Sequence, residues 1–436
     1  MAAAATTARK LVTPHPSRHS RDRVEARTTA LVALPFEMQF SSLGSKLERS
    51  PIRTATNSAR AAKERGEDVV SLAGGLPSAE LFAMRSMSVD GVEVEGADDV
   101  LQYHSGKGNP GLLEKVARLQ HSLHEGKYGI ACTTGNTDAL VKTIELLTEP
   151  GDPVFTETPT WPGFLSQLAP RDRAAVGVAM DERGVIPHAL DAALAKETGT
   201  QQRVFYTVPA GQNPTGVTVD DDRKRQIYEI CRRRNVVIVE DDPYYFLRLD
   251  GNPLSASYLS LDRDGRVVRL DSASKILAPG IRLGWISGPE LFVEKYVLLA
   301  ETSTQFPSGL AQLAVSHLLD RDFSGHLDRI AADYRRRRDL LVTTLEENLD
   351  ATLADWNLPT CGMFLWVKQH VSPDARHLVD DFVEKGVAVV PGHCFATTRD
   401  LQCPYFRLTF AFGSDDDIRK GAARIAAVLK DKAANE

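Results

Sequence analysis

The middle of the chain alternates short apolar runs with segments of helical pattern. Apolar or β-branched runs occupy residues 204–208, 236–239, 266–270 and 283–287, and each has the length of a buried strand. Between the first two runs, residues 220–234 begin with three aspartates and end with three arginines, an order that suits the dipole of a helix. The alternation predicts an α/β fold in which helices cover a mostly parallel sheet.

Polar residues follow three of these runs directly. They are Pro209-Ala-Gly-Gln-Asn213-Pro-Thr-Gly216, Glu240-Asp-Asp-Pro-Tyr244 and Asp271-Ser-Ala-Ser-Lys275. Each stretch alone is typical of a turn, a helix cap or a surface loop. Ligands of open parallel sheets bind at the carboxyl ends of the strands. Since all three stretches lie at such ends, the sequence predicts that they share one site.

Composition narrows the class of protein. A chain of 436 residues is too long for one core, so we expect a large and a small domain. The net charge of −6 provides no basic field for nucleic acid or an anionic membrane, and no apolar run approaches the ~18 residues of a membrane helix. Five scattered cysteines without a CxxC pair favour a reducing compartment over a disulfide framework or a zinc site.

The first 37 residues differ from the rest. Residues 1–30 are rich in Ala, Thr, Ser and Arg and lack an apolar period. Such a segment is either a transit peptide for an organelle or a disordered extension, and the acids Asp22 and Glu25 count against the transit peptide. We therefore expect a cytoplasmic protein, with the mitochondrion or another organelle as the alternative, and exclude 1–37 from the fold.

The three polar stretches, with Arg282 after the last, resemble the fold-type I aminotransferases of class I/II, which depend on pyridoxal phosphate. Further runs resemble the subgroup of kynurenine/α-aminoadipate and fungal aromatic aminotransferases. They are Ser50-Pro-Ile-Arg53, Ser71-Leu-Ala-Gly-Gly-Leu-Pro77, Leu101-Gln-Tyr103, Glu240-Asp-Asp-Pro-Tyr-Tyr-Phe246, Gly362-Met-Phe-Leu-Trp366 and Tyr405-Phe-Arg407. The resemblance covers nearly all of the chain after Met38.

The resemblance implies three catalytic residues, Lys275, Asp241 and Tyr244, together with Asn213 as a cofactor contact. Lys275 resembles the lysine that binds the cofactor covalently and then moves the substrate proton. Asp241 resembles the carboxylate that keeps the pyridine nitrogen protonated, so that the ring can accept electrons. Tyr244 and Asn213 resemble the donors to the phenolate of the ring, and Asn213 is also expected at the substrate.

Further cofactor contacts follow from the same resemblance. They are Asn136, Thr137, Trp161, Ser272, Ser274, Arg282 and Tyr103. Asn136 and Thr137 open a predicted helix where the family usually has other side chains, so their backbone amides are the expected phosphate donors. Trp161 stands where an aromatic ring stacks on the cofactor. Tyr103 resembles a tyrosine that reaches the phosphate from a partner subunit, which implies a homodimer with shared active sites.

The substrate contacts implied by the resemblance are Arg407, Arg53 and Gly75. Arg407 resembles the arginine that binds the α-carboxylate, a task that suits the fork of a guanidinium. Arg53 is expected near the substrate side chain, where it either meets a distal carboxylate or stacks on an aromatic ring. The backbone at Gly75 is expected to pass close to the substrate. No metal site is implied.

The resemblance also divides the chain. Residues 96–325 would form the large domain that binds pyridoxal phosphate, and residues 38–95 with 326–436 would form an N-terminal arm and a small α+β domain. The expected reaction is transfer of an amino group from an aromatic amino acid, kynurenine or 2-aminoadipate to a 2-oxo acid, with 2-oxoglutarate as the expected acceptor.

Two other functions compete with transamination. A lyase, a cyclopropane-forming synthase or a decarboxylase uses the same cofactor on the same fold, and a fold alone does not decide the reaction. A transcription regulator that senses pyridoxal phosphate needs a DNA-binding head of roughly 60–70 residues. About 37 residues without a helix-turn-helix pattern precede the predicted fold, which counts against a regulator.

Overall fold

Strands and helices alternate through most of the chain. The computed structural model describes residues 51–74, 106–197, 203–251, 253–398 and 401–435. The strands of these ranges are β1 Val70–Ser71, β2 Gly129–Thr133, β3 Pro153–Thr158, β4 Ala174–Asp181, β5 Gly184–Val185, β6 Arg203–Thr207, β7 Val236–Asp241, β8 Val267–Ser272, β9 Gly284–Gly288, β10 Ala354–Trp356, β11 Phe364–Gln369, β12 Val387–Ala388, β13 Val390–Pro391 and β14 Tyr405–Thr409.

The α-helices of the same ranges fill most of the connections. They are α1 Pro51–Glu64, α2 Pro110–Leu123, α3 Asn136–Leu147, α4 Pro162–Leu168, α5 Pro187–Lys196, α6 Asp221–Arg233, α7 Tyr258–Leu261, α8 Glu290–Glu301, α9 Gly309–Leu319, α10 Phe323–Asn348, α11 Val379–Glu384 and α12 Asp415–Asn435. No helix in the described part of the chain combines the length and the apolar character that crossing a membrane requires.

The larger sheet has the strand order β2-β9-β8-β7-β6-β3-β4-β5. Strands β8, β7, β6, β3 and β4 run parallel to one another, and helices α3, α6, α7 and α8 pack against the strands. Strand β7 is buried along nearly its whole length, as expected for a strand covered on both faces. The predicted α/β fold with a mostly parallel sheet is therefore confirmed.

The run at residues 283–287 forms β9, which is not one of the parallel strands of the sheet. Strand β9 pairs antiparallel with both β8 and β2. A parallel return needs a crossover, usually a helix, whereas the link from Ser272 to Gly284 contains only a short 3₁₀ turn, Pro279–Ile281. Arg282 ends that turn in the left-handed conformation, with φ of 51°. The chain therefore reverses beside β8 instead of crossing the sheet.

Helix α6 illustrates how local sequence sets element ends. Asp220 caps it by accepting a hydrogen bond from the backbone of Arg223, and acids occupy its first turn and arginines its last. This distribution of charge matches the helix dipole. The helix predicted over 220–234 is thus confirmed almost to the residue.

A second, antiparallel sheet has the order β10-β11-β14-β13. All its strands come from residues 354–409, within the segment expected to form the small domain. The larger sheet comes from residues 129–288, within the segment expected to form the large domain. The exact division of the chain into two domains stays a prediction.

A close approach of two glycines joins the loop after β6 to the loop before β11. A Cβ added to Gly211, whose φ is +56°, would lie 2.6 Å from the backbone of Gly362. Gly362 has φ of +86° and would place a Cβ 2.9 Å from the carbonyl of Gly211. Only residues without a side chain fit here, because both sides of the contact are backbone. The contact fixes the position of the loop that carries Asn213.

We expect Gly211→Ala to destabilise the protein by about 2–5 kcal/mol, the sum of a left-handed alanine and a backbone clash. Gly151→Ala is the matched control, since Gly151 has φ of +93° and open space around its Cβ position; it should cost only about 1–2 kcal/mol. Urea unfolding of both variants measures the difference. Equal losses of stability would contradict a tight contact.

Candidate active site

The predicted site residues lie at one edge of the larger sheet. Strands β6, β7 and β8 end there at Thr207, Asp241 and Ser272. Ser272 pairs with Gly284 of β9, and Gly284 pairs with Thr133 at the end of β2. The start of helix α3, which follows β2, therefore belongs to the same edge. The expectation that three separated stretches meet at strand ends is met by the geometry.

Asp241 is a buried carboxylate held by two neutral donors. Its Oδ1 accepts a hydrogen bond of 2.7 Å from Nδ2 of Asn136, and its Oδ2 accepts one of 2.8 Å from the hydroxyl of Tyr206. No cationic side chain of the described residues lies within ion-pair distance of it. Burial raises the pKa of Asp241 to about 6, and the two donors act against the rise. A cationic ligand group at this carboxylate would relieve the cost of burying it.

Asp242, the next residue, has different surroundings. It contacts Arg269 at 3.0 Å, and Arg269 also contacts Glu240 and Asp271. All four side chains are buried. Successive strand residues point to opposite faces, so Glu240 and Asp242 join an ion cluster behind the sheet while Asp241 faces the site.

Ser272, Ser274 and Arg282 form a group beside the start of α3. The guanidinium of Arg282 donates to Oγ of Ser274 at 3.3 Å and to the carbonyl of Thr134 at 3.3 Å. Gly135, which begins α3 without a side-chain cap, would place a Cβ 2.5 Å from Arg282. The guanidinium, the hydroxyls and the uncapped helix amides together suit a phosphate.

Lys275 lies in this neighbourhood and is partly buried. Burial, together with the positive charges of Arg407 and Arg282, lowers the pKa of its ammonium group to about 8. At pH 7 roughly a tenth of such a group is neutral amine, against about one part in three thousand for an ordinary lysine. Lys275 is therefore suited to act as a nucleophile and as a base.

Arg407 reaches the site from β14 of the second sheet. Its Nη1 donates to Oδ1 of Asn213 at 2.8 Å, and its Nη2 donates to the carbonyl of Ala73. The guanidinium carbon lies over the ring of Phe364, 4.2 Å from its centroid, and Phe364 also packs edge-on against Tyr244 with ring centroids 5.7 Å apart. Arg407, Asn213 and Tyr244 are thus one packed group.

The remaining predicted site residues have varied surroundings. Trp161 is half-buried at the start of α4, with its ring against Gly163. Thr137 is exposed. The side chain of Asn136, for which the sequence predicted no partner, donates to Asp241 and to the carbonyl of Leu270. Gly75 and Tyr103 lie outside the described residues. Arg53 belongs to α1, but its side chain lies outside the described part of the structure.

Comparison with known proteins identifies the family. The family model described as aminotransferase class I and II matches residues 81–425. The chain belongs to the class I and II aminotransferases. Its cofactor is pyridoxal phosphate, and it is a transaminase.

Relatives of this aminotransferase cover nearly all of its length. The mitochondrial kynurenine/alpha-aminoadipate aminotransferase of Bos taurus is 35% identical over 395 residues, which are 84% of this chain and 92% of the relative. An aromatic amino acid aminotransferase of Schizosaccharomyces pombe is 30% identical, and the match covers 88% of this chain and 95% of the relative. The kynurenine aminotransferase of Pyrococcus horikoshii, solved in complex with PMP, superposes with a TM-score of 0.83 at 31% sequence identity. The superposition covers 90% of this chain and 97% of that structure.

The residues present fit pyridoxal phosphate. Asp241 offers a buried negative charge without a cation, which suits a protonated ring nitrogen. Ser274, Arg282 and the uncapped start of α3 offer donors to a phosphate. Lys275 offers an amine with a lowered pKa. Each chemical demand of the cofactor thus has a matching group at this edge of the sheet.

Two buried residues of the site were missed by sequence reasoning. Tyr206 donates to Asp241, and its only signal was a polar atom near the end of a buried apolar strand. Glu157 is the penultimate residue of β3 and accepts hydrogen bonds from Thr207, Val208 and Gln212. Burial raises its pKa to about 7. Glu157 thereby holds the loop that leads to Asn213.

We expect Asp241→Asn and Asp242→Asn to fail in different ways. Asp241→Asn should lower kcat by roughly 10²–10³-fold, because the ring proton loses its counter-charge. Asp242→Asn should lower the Tm, since it removes one carboxylate of the buried ion cluster around Arg269, and leave kcat per folded holoenzyme within about threefold of the parent. Calorimetry and steady-state kinetics separate the two effects. Equal losses of kcat would mean that Asp241 was wrongly chosen.

Proposed function

We propose that this aminotransferase transfers the amino group of an aromatic amino acid, kynurenine or 2-aminoadipate to a 2-oxo acid, with 2-oxoglutarate as the acceptor. The observation that carries the proposal is Arg407, a guanidinium with no exposed surface and no carboxylate partner among the described residues. Burying such a charge is costly unless it is paired. An amino acid and a 2-oxo acid share one group that would pair with it, the α-carboxylate.

The geometry around Arg407 supports this role. Two of its three nitrogens donate to Asn213 and Ala73, whereas its Nε has no hydrogen-bond partner. Burial lowers the pKa of Arg407 to about 10, so the group still carries its charge at neutral pH. Phe364 and Phe395 lie 4.2 Å and 5.2 Å from the guanidinium carbon and restrict its movement. Arg407 is therefore preorganised for a bidentate carboxylate.

The other site residues move the substrate proton, hold the proton of the ring and orient the ring. When bound, pyridoxal phosphate supplies an aldehyde that takes up an amino group and a ring that accepts the electron pair of the substrate Cα. Lys275, once its Nζ is released, removes the proton from Cα as a neutral amine. Asp241 keeps the proton on the ring nitrogen. Tyr244 and Asn213, both buried, orient the ring and so align the Cα proton with Lys275.

The substrate class rests on relatives and on one arginine. Relatives of 30–35% identity are named kynurenine/alpha-aminoadipate or aromatic amino acid aminotransferases. Arg53, which lies in the first turn of α1, is proposed to face the side chain of the substrate. A guanidinium there would bind a distal carboxylate by ion pairing or an aromatic ring by stacking. These two groups are the ones found in the side chains of the proposed substrates.

A donor panel tests the function. Phenylalanine, tyrosine, kynurenine and 2-aminoadipate are each incubated with the holoenzyme, with and without 2-oxoglutarate. Formation of the matching 2-oxo acid only in the presence of the acceptor is the expected result. Product without an acceptor would instead favour a lyase or decarboxylase. Lys275→Ala is the control and should lose turnover by several orders of magnitude while retaining the cofactor non-covalently.

We expect Arg407→Ala to raise KM for the donor and for 2-oxoglutarate alike, because both bring an α-carboxylate. Loss of the arginine that pairs with a buried carboxylate typically costs ~2–5 kcal/mol, or roughly 30- to several-thousand-fold. Arg407→Lys should recover only part of this, since a point charge does not reproduce the guanidinium fork. Steady-state kinetics with each substrate varied in turn measures both effects. A rise in KM for only one of the two substrates would contradict the role.

Arg53→Ala should discriminate between substrates. If Arg53 meets a distal carboxylate, the variant should lose activity with 2-aminoadipate and 2-oxoglutarate and keep it with phenylalanine or tyrosine. The measured quantity is the ratio of kcat/KM for acidic and aromatic donors in the parent and in the variant. A ratio unchanged within about threefold, or ~0.65 kcal/mol, would remove Arg53 from the substrate side chain.

We also propose a homodimer in which Tyr103 of one subunit binds the cofactor phosphate of the other. Sedimentation velocity on the holoenzyme should give a dimer, and Tyr103→Phe should weaken retention of the cofactor without dissociating the dimer. A fully active monomer would refute the shared site.

A further inference from the structure

Tyr206 has no part in the reaction as described above, yet it touches the carboxylate on which the reaction depends. It lies in β6, has no exposed surface, and donates its hydroxyl proton to Oδ2 of Asp241 at 2.8 Å. Its ring stacks on Phe164, with centroids 4.0 Å apart and an interplanar angle of 14°. The stacking fixes the ring, so the hydroxyl is presented to Asp241 in one direction.

Asn136 holds the other oxygen of the same carboxylate. Its Nδ2 donates to Oδ1 of Asp241 at 2.7 Å and to the carbonyl of Leu270 at 3.2 Å. The two donors therefore come from different elements, β6 and α3, and each is anchored independently of Asp241. A carboxylate with one fixed donor on each oxygen is restrained from rotating about its Cβ–Cγ bond. Each oxygen still has a second lone pair available.

Both donors are neutral, so they stabilise the negative charge of Asp241 without cancelling it. A buried carboxylate tends to take up a proton because desolvation disfavours its charged form. An arginine or lysine contact would keep Asp241 ionised, but it would also satisfy the negative charge that the ring nitrogen requires. Hydrogen bonds from Tyr206 and Asn136 favour the ionised form without neutralising it. The contrast is Asp242, which forms an ion pair with Arg269 at 3.0 Å.

We propose that Tyr206, together with Asn136, is a positioning residue that keeps the Asp241 carboxylate ionised and in one orientation, so that it holds the proton on the ring nitrogen of bound pyridoxal phosphate. The proposal rests on the role of Asp241 in the proposed function. It concerns only Tyr206 and Asn136, the two described residues of this chain that donate hydrogen bonds to the carboxylate of Asp241.

Removal of the Tyr206 hydroxyl should raise the pKa of Asp241. Without it Asp241 keeps one donor, burial is opposed less, and the pKa of the carboxyl group rises above its present value of about 6. A larger fraction of Asp241 then carries its own proton at slightly acidic pH and binds the ring nitrogen less well. Other ionisable or charged groups near Asp241 are Glu157 of β3, Tyr244, and Arg269 and Asp271 of β8. Tyr206→Phe leaves all of these in place.

The test is the affinity of the full chain for pyridoxamine phosphate, which forms no covalent bond to Lys275, across the range from about pH 6 to about pH 8. For Tyr206→Phe we expect a Kd within about threefold of the parent at the upper end and roughly five- to sixfold weaker at the lower end, because a rise of about one pKa unit would leave roughly a tenth of Asp241 ionised at about pH 6 instead of about half. The ligand phosphate titrates in the same range, so the ratio of variant to parent is the quantity compared.

Two controls make the result specific. Tyr228→Phe removes another buried tyrosine hydroxyl that donates to carboxylates, those of Asp262 and Asp264, which precede β8 at its opposite end. Its Kd should match that of the parent at every pH. Asn136→Ala, which removes the donor on Oδ1, should shift the pH dependence in the same direction as Tyr206→Phe.

Asp241→Asn separates failure of this inference from failure of the proposed function. If Asp241→Asn binds and turns over like the parent, the role of Asp241 itself is wrong. If Asp241→Asn is impaired but Tyr206→Phe gives a ratio to the parent that does not change with pH, Tyr206 only fills space and the inference is overturned. The double variant should show no added pH dependence over Asp241→Asn, because Tyr206 acts through that carboxylate.

Discussion

The site depends on a buried carboxylate that has no cationic partner of its own. Asp241 is 3% exposed and is held by an amide and a phenol rather than by an arginine or a lysine. An unpaired charge of this kind is costly to bury, and the fold keeps it because two anchored donors share the charge. In the proposed role of Asp241, a protonated ring nitrogen would supply the missing positive charge.

The same stretch of chain uses its other face for stability. Glu240 and Asp242 flank Asp241 in sequence and point away from it into contact with Arg269. Alternation along a strand is the reason. Three acidic residues in a row therefore have two roles, a buried ion cluster behind the sheet and a single unpaired carboxylate in front of it.

In the proposed function, recognition of the substrate carboxylate depends on a contact between the two sheets. Arg407 of β14 reaches Asn213 in the loop after β6, and Gly211 and Gly362 bring the supporting backbones together. Glu157 holds the same loop from β3. Because Arg407 is fixed by packing and by two hydrogen bonds, it meets a carboxylate with little loss of side-chain freedom. Displacement of the loop would therefore disturb the orientation of cofactor and substrate together.

The sequence by itself determined much of this arrangement. Periodicity predicted the strands and the α6 helix, and the order of polar stretches after strands predicted that Asn213, Asp241 and Lys275 would lie at one edge, because the carboxyl ends of parallel strands meet there. Resemblance to a family assigned their roles. Only the tertiary structure decided the direction of β9, which depends on the short link before it. Only the structure showed Tyr206 and the side chain of Asn136 against Asp241, since these contacts join residues far apart in the chain and leave no local pattern. It likewise separated Asp241 from Asp242, because the environment of each carboxylate, and not its place in the motif, sets its charge.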